Sequence, residues 1–130
     1  MKLHHIGLNI AELSEVEHFY TNILKCWPDK RFELSESLAR QVFNQEQATR
    51  VFTVRNASLV LELFLAPVKQ VPVFQHLCVE VCDRDHIAEK AHAYGYPVIR
   101  IEREGPDLLF IKDKAGNTFE LKSTAGENQS

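Results

Sequence analysis

Two stretches of this chain are built to one plan, and that duplication limits the fold more than any other feature. His5-Ile6-Gly7-Leu8-Asn9-Ile10 and His76-Leu77-Cys78-Val79-Glu80-Val81 each open on histidine and then alternate apolar with small or polar residues. That is the period of a strand with one buried face. A helical pattern follows each. Each half then closes on a strand carrying Glu-Leu: Leu61-Glu62-Leu63 in the first and Phe119-Glu120-Leu121 in the second. Both halves read strand, helix, three strands. Two such modules sharing a centre would bring two His and two Glu toward a common point.

In the first half a strand is expected over Leu3 to Ile10, with Ile6, Leu8 and Ile10 on one face and His5, Gly7 and Asn9 on the other. Ser14 and Glu17 have the form of a capping box. The helix they open would bury Leu13, Val16, Phe19, Tyr20, Ile23 and Leu24, and Trp27-Pro28 would end it. Strands follow at Arg31 to Leu34, Arg50 to Arg55 and Ser58 to Leu65, with a turn at Asn56-Ala57. Ser35 to Ala48 can be a loop, a short helix or part of a strand. Pro67 to Pro72 reads as a linker.

The second half has a strand over Phe74 to Val81, then a helix capped by Asp83 or Asp85 and carrying Ile87, Ala88, Ala91 and Tyr94. Gly95 stands where a helix C-terminus takes a left-handed residue. Strands are expected at Pro97 to Glu102, Leu108 to Lys112 and Asn117 to Lys122, with Ala115-Gly116-Asn117 turning between the last two. Thr124 to Ser130 is a polar tail. His5 to Glu62 spans 13 residues more than His76 to Glu120 (57 against 44), which matches Ser35 to Ala48. A loop of that length is usually functional or disordered; it is expected over or beside the cleft or at a subunit contact, and mobile without ligand.

At 130 residues the chain suits one domain, 1-130, made of modules 3-66 and 73-123, since either half alone would bury too little surface. The net charge of −3, with no block of like charge, speaks against nucleic-acid or membrane partners. The three cysteines, Cys26, Cys78 and Cys82, are odd in number and lack Cys-x-x-Cys spacing. Reduced thiols in a cytoplasmic protein are the expectation. The start, Met1-Lys2-Leu3-His4-His5, has no apolar signal core, so Asn56-Ala57-Ser58 reads as an ordinary turn rather than a glycosylation site.

A single strand His or Glu is as often surface decoration as ligand. Glu62 is less comfortable in that role, because it lies inside Leu59-Val60-Leu61-Glu62-Leu63-Phe64-Leu65, where a buried unpaired carboxylate is costly. His76 shares a face with Phe74 and Cys78. His4 would replace His5 only if the strand slipped by one, and alternation puts His4 with Ile6 and Leu8 instead. His18, His86 and His92 fall on solvated helix faces. Cys78 can line the pocket, Cys26 and Cys82 read as packing residues, and Glu102 and Glu104 read as exposed charges.

This order of elements resembles the vicinal oxygen chelate superfamily, the glyoxalase/bleomycin-resistance/dioxygenase fold. The motifs that carry the likeness are His5-Ile6-Gly7-Leu8, Leu61-Glu62-Leu63, His76-Leu77-Cys78-Val79 and Asp113-Lys114-Ala115-Gly116-Asn117-Thr118-Phe119-Glu120-Leu121. The last is similar to an Asp-Pro-x-Gly-x-x-x-Glu-Leu run, with Lys114 in the proline's place. The resemblance covers Leu3 to Lys122. It implies an α+β fold of two tandem β-α-β-β-β modules forming a curved mixed sheet around a cleft. It also implies metal ligands at His5, Glu62, His76 and Glu120. Two imidazoles and two carboxylates suit Ni, Co, Zn, Mn or Fe and leave positions open for substrate.

Such a site chelates adjacent oxygens of a small substrate, while a carboxylate, Glu120 or alternatively Glu62, moves a proton at carbon. Fosfomycin-modifying enzymes and extradiol dioxygenases resemble a two-His, one-Glu pattern without the mid-chain Glu, so Glu62 favours a lyase or isomerase of glyoxalase type. Asn9 and Ala66 stand where bacterial glyoxalases I place Arg and Asn for glutathione, so glutathione is not implied. The alternative is a metal-free ligand-binding module of the bleomycin-resistance kind. A homodimer is the assembly expected by resemblance.

Overall fold

The computed structural model describes residues 1–67 and 73–124. Most of the expected linker and all but the first residue of the expected tail lie outside the described residues. The chain divides into two units, Met1–Val68 and Lys69–Ser130, each with a four-stranded mixed sheet. The architecture is α+β in two tandem modules, as the duplication requires.

In the first unit β1 (Ile6–Ile10) lies parallel to β4 (Leu59–Leu65), and β3 (Thr49–Asn56) and β2 (Trp27–Leu34) follow antiparallel, in the order β1-β4-β3-β2. Burial alternates along β1 as expected, with Gly7 and Asn9 exposed and Ile10 buried. The first helical segment departs from the expected α-helix. Over Val16–Thr21 it is π-helical: Asn22 N–H donates to Glu17 O and Leu24 N–H to Phe19 O, five residues back. The Ser14 hydroxyl donates to Glu12 rather than capping the helix, so the capping box does not form. The wide turn seats Phe19 and Tyr20 side by side in the core with Ile23 and Leu24, while Leu13 stays exposed. β2 starts earlier than expected, at Trp27, with a bulge between Pro28 and Arg31. The ambiguous insertion resolves as α1 (Glu36–Phe43), capped by Ser35, which accepts from Leu38 N–H. At the β3–β4 turn Asn56 Nδ2 donates to the Leu24 and Lys25 carbonyls, and Ala57 takes φ +53°. The turn expected at Asn56-Ala57 is present.

The second unit repeats the topology without the insertion. β5 (Leu77–Val81) runs parallel to β8 (Thr118–Ser123), with β7 (Leu108–Lys112) and β6 (Val98–Ile101) beyond. α2 (Arg84–Ala93) is capped by Asp83, not Asp85, and buries Ile87, Ala88 and Ala91 against the sheet. It ends in a Schellman turn, with Gly95 at φ +88° and Tyr96 N–H returning to Ala91 O. Phe119, Leu121, Leu109 and Ile111 fill the core. Among the described residues no helix is long and apolar enough to cross a membrane.

Candidate metal centre

Each unit places one His and one Glu together on the face opposite its packed helix. In the first, Glu62 lies opposite Gly7 on β1 and Thr53 on β3. His5, just ahead of β1, brings Nε2 to 3.3 Å from Glu62 Oε1. In the second, Glu120 lies opposite Cys78 on β5 and Phe110 on β7. His76, just ahead of β5, brings Nε2 to 3.5 Å from Glu120 Oε1. The pairs occupy equivalent register positions, two residues before Gly7 and before Cys78. In both, the imidazole is partly exposed and the carboxylate more buried, with side-chain exposures of 40% and 22%, then 44% and 15%.

For His76 a hydrogen bond fixes which ring nitrogen faces the carboxylate as an acceptor. His76 Nδ1 is 2.9 Å from the Phe74 carbonyl oxygen. A carbonyl can only accept, so Nδ1 carries the proton and a neutral His76 turns the Nε2 lone pair toward Glu120. Two acceptors then face one another at a separation longer than an ordinary hydrogen bond. A cation shared between two such acceptors would stabilise them. Two donors bound to one ion at ~2.0–2.2 Å, at right to tetrahedral angles, lie about 2.9–3.5 Å apart, so both pairs have the spacing of a metal bite. His5 is held by its neighbour, since His4 Nδ1 and His5 Nδ1 are 2.9 Å apart with rings edge-on.

Neither unit gathers a third His, Cys, Asp or Glu into a metal-holding group with its pair among the described residues. Cys78 lies beside Glu120 as a thiol. Burial raises its pKa first, the Glu120 and Glu80 carboxylates add to this, and Lys122 opposes it. Cys26 is buried and pushed up to about 11 by desolvation, so it packs as expected. Cys82 is exposed, which corrects the packing role expected for it. His18, His86, His92, Glu102 and Glu104 are exposed, as expected.

Two features shape the setting of the pairs. One is the turn that places Glu120. Asp113 and Asn117 are 2% and 4% exposed. Asp113 Oδ1 accepts from Asn117 N–H at 2.8 Å and Oδ2 from Asn117 Nδ2 at 2.7 Å. Gly116 closes the turn at φ +97°, and the register of β8 follows from it. The other is the surroundings of each Glu. A Cβ at Gly7 would come within 3.1 Å of the Phe64 ring, so glycine admits that ring beside His5 and Glu62. Phe43 at the end of α1 packs on it at 5.5 Å. The equivalent position in the second unit holds Lys122. The first pair thus has an aromatic flank and the second a cationic one.

The comparisons agree with this architecture. Residues 2–121 match the family model of the Glyoxalase/Bleomycin resistance protein/Dioxygenase superfamily. No curated protein gives a significant sequence match. Among solved structures, a mutant of the fosfomycin resistance protein FosX from Listeria monocytogenes, complexed with Mn(II) and 1S,2S-dihydroxypropylphosphonic acid, is similar at TM-score 0.74 and 17% identity, over 96% of this chain and 94% of that one. FosX from Mesorhizobium loti is similar at 0.69 and 13%, over 96% and 93%. A glyoxalase family protein from Enterococcus faecalis is similar at 0.67 and 17%, over 92% and 95%. The duplicated topology and the family match together make this chain a member of the Glyoxalase/Bleomycin resistance protein/Dioxygenase superfamily.

Proposed function

We propose that the two units act as one domain, 1-130, whose His5, Glu62, His76 and Glu120 hold a single divalent ion, and that the protein is a metal-dependent lyase or isomerase acting on a small oxygenated substrate. The observation that carries this is the repeated facing of an imidazole nitrogen and a carboxylate oxygen at 3.3 and 3.5 Å. Four such donors, two of them anionic, balance a 2+ charge and suit Ni, Co, Zn, Mn or Fe; Mn(II) in FosX complexes supports the class of ion. When bound, the ion would supply Lewis-acid stabilisation of negative charge on substrate oxygen.

The chain's own residues do the rest. Glu120 takes a proton from substrate carbon and returns it, the ordinary work of a general base; Glu62 is the alternative. His76 and His5, anchored through Nδ1, keep Nε2 in place while a carboxylate moves. Deuterium wash-in at the carbon beside the carbonyl of small α-hydroxyketones, with Mn(II) or Ni(II) added, tests this. Glu120→Gln should keep most of the metal while exchange falls about 10²–10⁴-fold. Full exchange in that variant would remove Glu120 from the role. A second reading follows from the FosX neighbours: opening of an epoxide rather than proton transfer. Diol formation from an epoxide, with no wash-in, would favour it. A folded protein that takes up no ion would favour the metal-free binding module.

A further inference from the structure

The second unit contains a cavity of about 160 Å³ that reaches Glu120 and is lined by Arg84, Arg103, Asp107, Lys122 and Ser123 among others. Its charges are unusual in how they are matched. Arg84 spends one guanidinium nitrogen on backbone, donating to the Asp107 carbonyl at 2.8 Å and the Leu121 carbonyl at 3.4 Å, so it ties the start of β7 to β8. Arg103 Nε donates to the Pro106 carbonyl at 2.9 Å. The Asp107 carboxylate, which also lines the cavity, is turned to Arg100 at 3.4 Å, and Arg100 also holds Asp85 at 2.8 Å. Among the described residues no carboxylate lies within ion-pair distance of Arg84, Arg103 or Lys122. Arg84 and Arg103 therefore border one small cavity with neutral carbonyls as their partners, and Lys122 lines it with them. Lys122 is two residues past Glu120 on the same face of β8, and its register partner on β5 is Glu80.

We infer that this cavity is an oxyanion subsite, taking a dianionic phosphate or phosphonate group of the ligand with Arg103 and Lys122 as the reaching side chains and Arg84 as a fixed positive wall. The volume has room for one such group. Arginine forks suit tetrahedral oxyanions, and cations already bound to neutral carbonyls retain their full charge for a ligand. The first unit's flank, Phe64 with Phe43 packed on it, is aromatic, so the two halves differ in the ligand chemistry they offer. The inference deepens the metal-dependent reading, because an anion seated here would set its neighbouring oxygens beside Glu120.

The test is a titration of the ¹⁵N-labelled protein with inorganic phosphate, and separately with acetate, following the amides of Arg103, Asp107, Leu108 and Ser123. Run in the Glu120→Gln variant without metal, it reads the cavity alone, so failure of the metal assignment and failure of the subsite are separable. Phosphate should shift these amides, and acetate should bind more weakly because it carries half the charge. Arg103→Gln and Lys122→Gln should each weaken phosphate about tenfold. Both side chains are exposed, and an unchanged melting temperature confirms that the variants fold. Arg31→Gln in the first unit should leave binding as it was. Absence of phosphate-dependent shifts, equal affinity for acetate, or indifference to both substitutions would overturn the subsite.

Discussion

In each pair the histidine is set by a single neighbour. His76 owes its tautomer to one carbonyl, Phe74, 2.9 Å from Nδ1, and His5 owes its orientation to His4. Cys26 owes its character to burial alone, which lifts its thiol to about 11 from 9.0. The native state therefore holds this proton more tightly than the unfolded chain. Between those two values the unfolded state binds fewer protons, so stability falls as pH rises through the window, by at most about 2–3 kcal/mol. Urea unfolding from pH 8 to 11 should show that loss, and Cys26→Ala should lose less over the same range. An identical pH slope in both would discount Cys26 as the cause. Strand alternation was enough to put His5, Gly7 and Asn9 on one face in the sequence. It could not reveal that Gly7 clears space for Phe64, since the ring approaches from β4, more than fifty residues away.

Elements were legible where a local rule dominates and obscure where tertiary packing overrides it. Asp83 and Gly95 bracket α2 by capping chemistry that sequence carries. The Val16–Thr21 segment instead widens to a π-helix, with Phe19 and Tyr20 both buried. The Asp113–Asn117 turn is the element on which the centre leans most. Asp113→Ala removes two buried hydrogen bonds, one of them to a backbone N–H, and should cost about 2–5 kcal/mol. Thermal unfolding measures this, and a wild-type melting temperature would mean the turn does not hold β8 in register. Helix α1 is the opposite case. It is eight residues long, and Ala39 is its one buried residue. Its amides should exchange hydrogen faster than those of β3 and β4, and Phe43→Ala should speed them further by removing the ring contact with Phe64. Protection of α1 equal to the central strands would contradict this.

At the scale of the whole molecule the duplication decides most. It was readable because each half repeats His, then Glu-Leu, around the same strand order, and the structure returns β1-β4-β3-β2 and β5-β8-β7-β6 as matching sheets. What the repeat hides is how far the halves have diverged around the same two residue types: Phe64 beside one Glu, Lys122 beside the other. The proposed ion joins these halves, for each unit supplies one His and one Glu and neither alone makes a complete ligand set. Metal content per chain, measured by inductively coupled plasma mass spectrometry after loading with Mn(II) and exhaustive dialysis, tests this most directly in wild type, His5→Ala and His76→Ala. Wild type should retain about one ion per chain and both variants should lose it, since removing one half's ligand breaks the shared site. Retention of the ion when either pair is broken, or a folded wild-type protein that retains none, would contradict a single centre built from both halves.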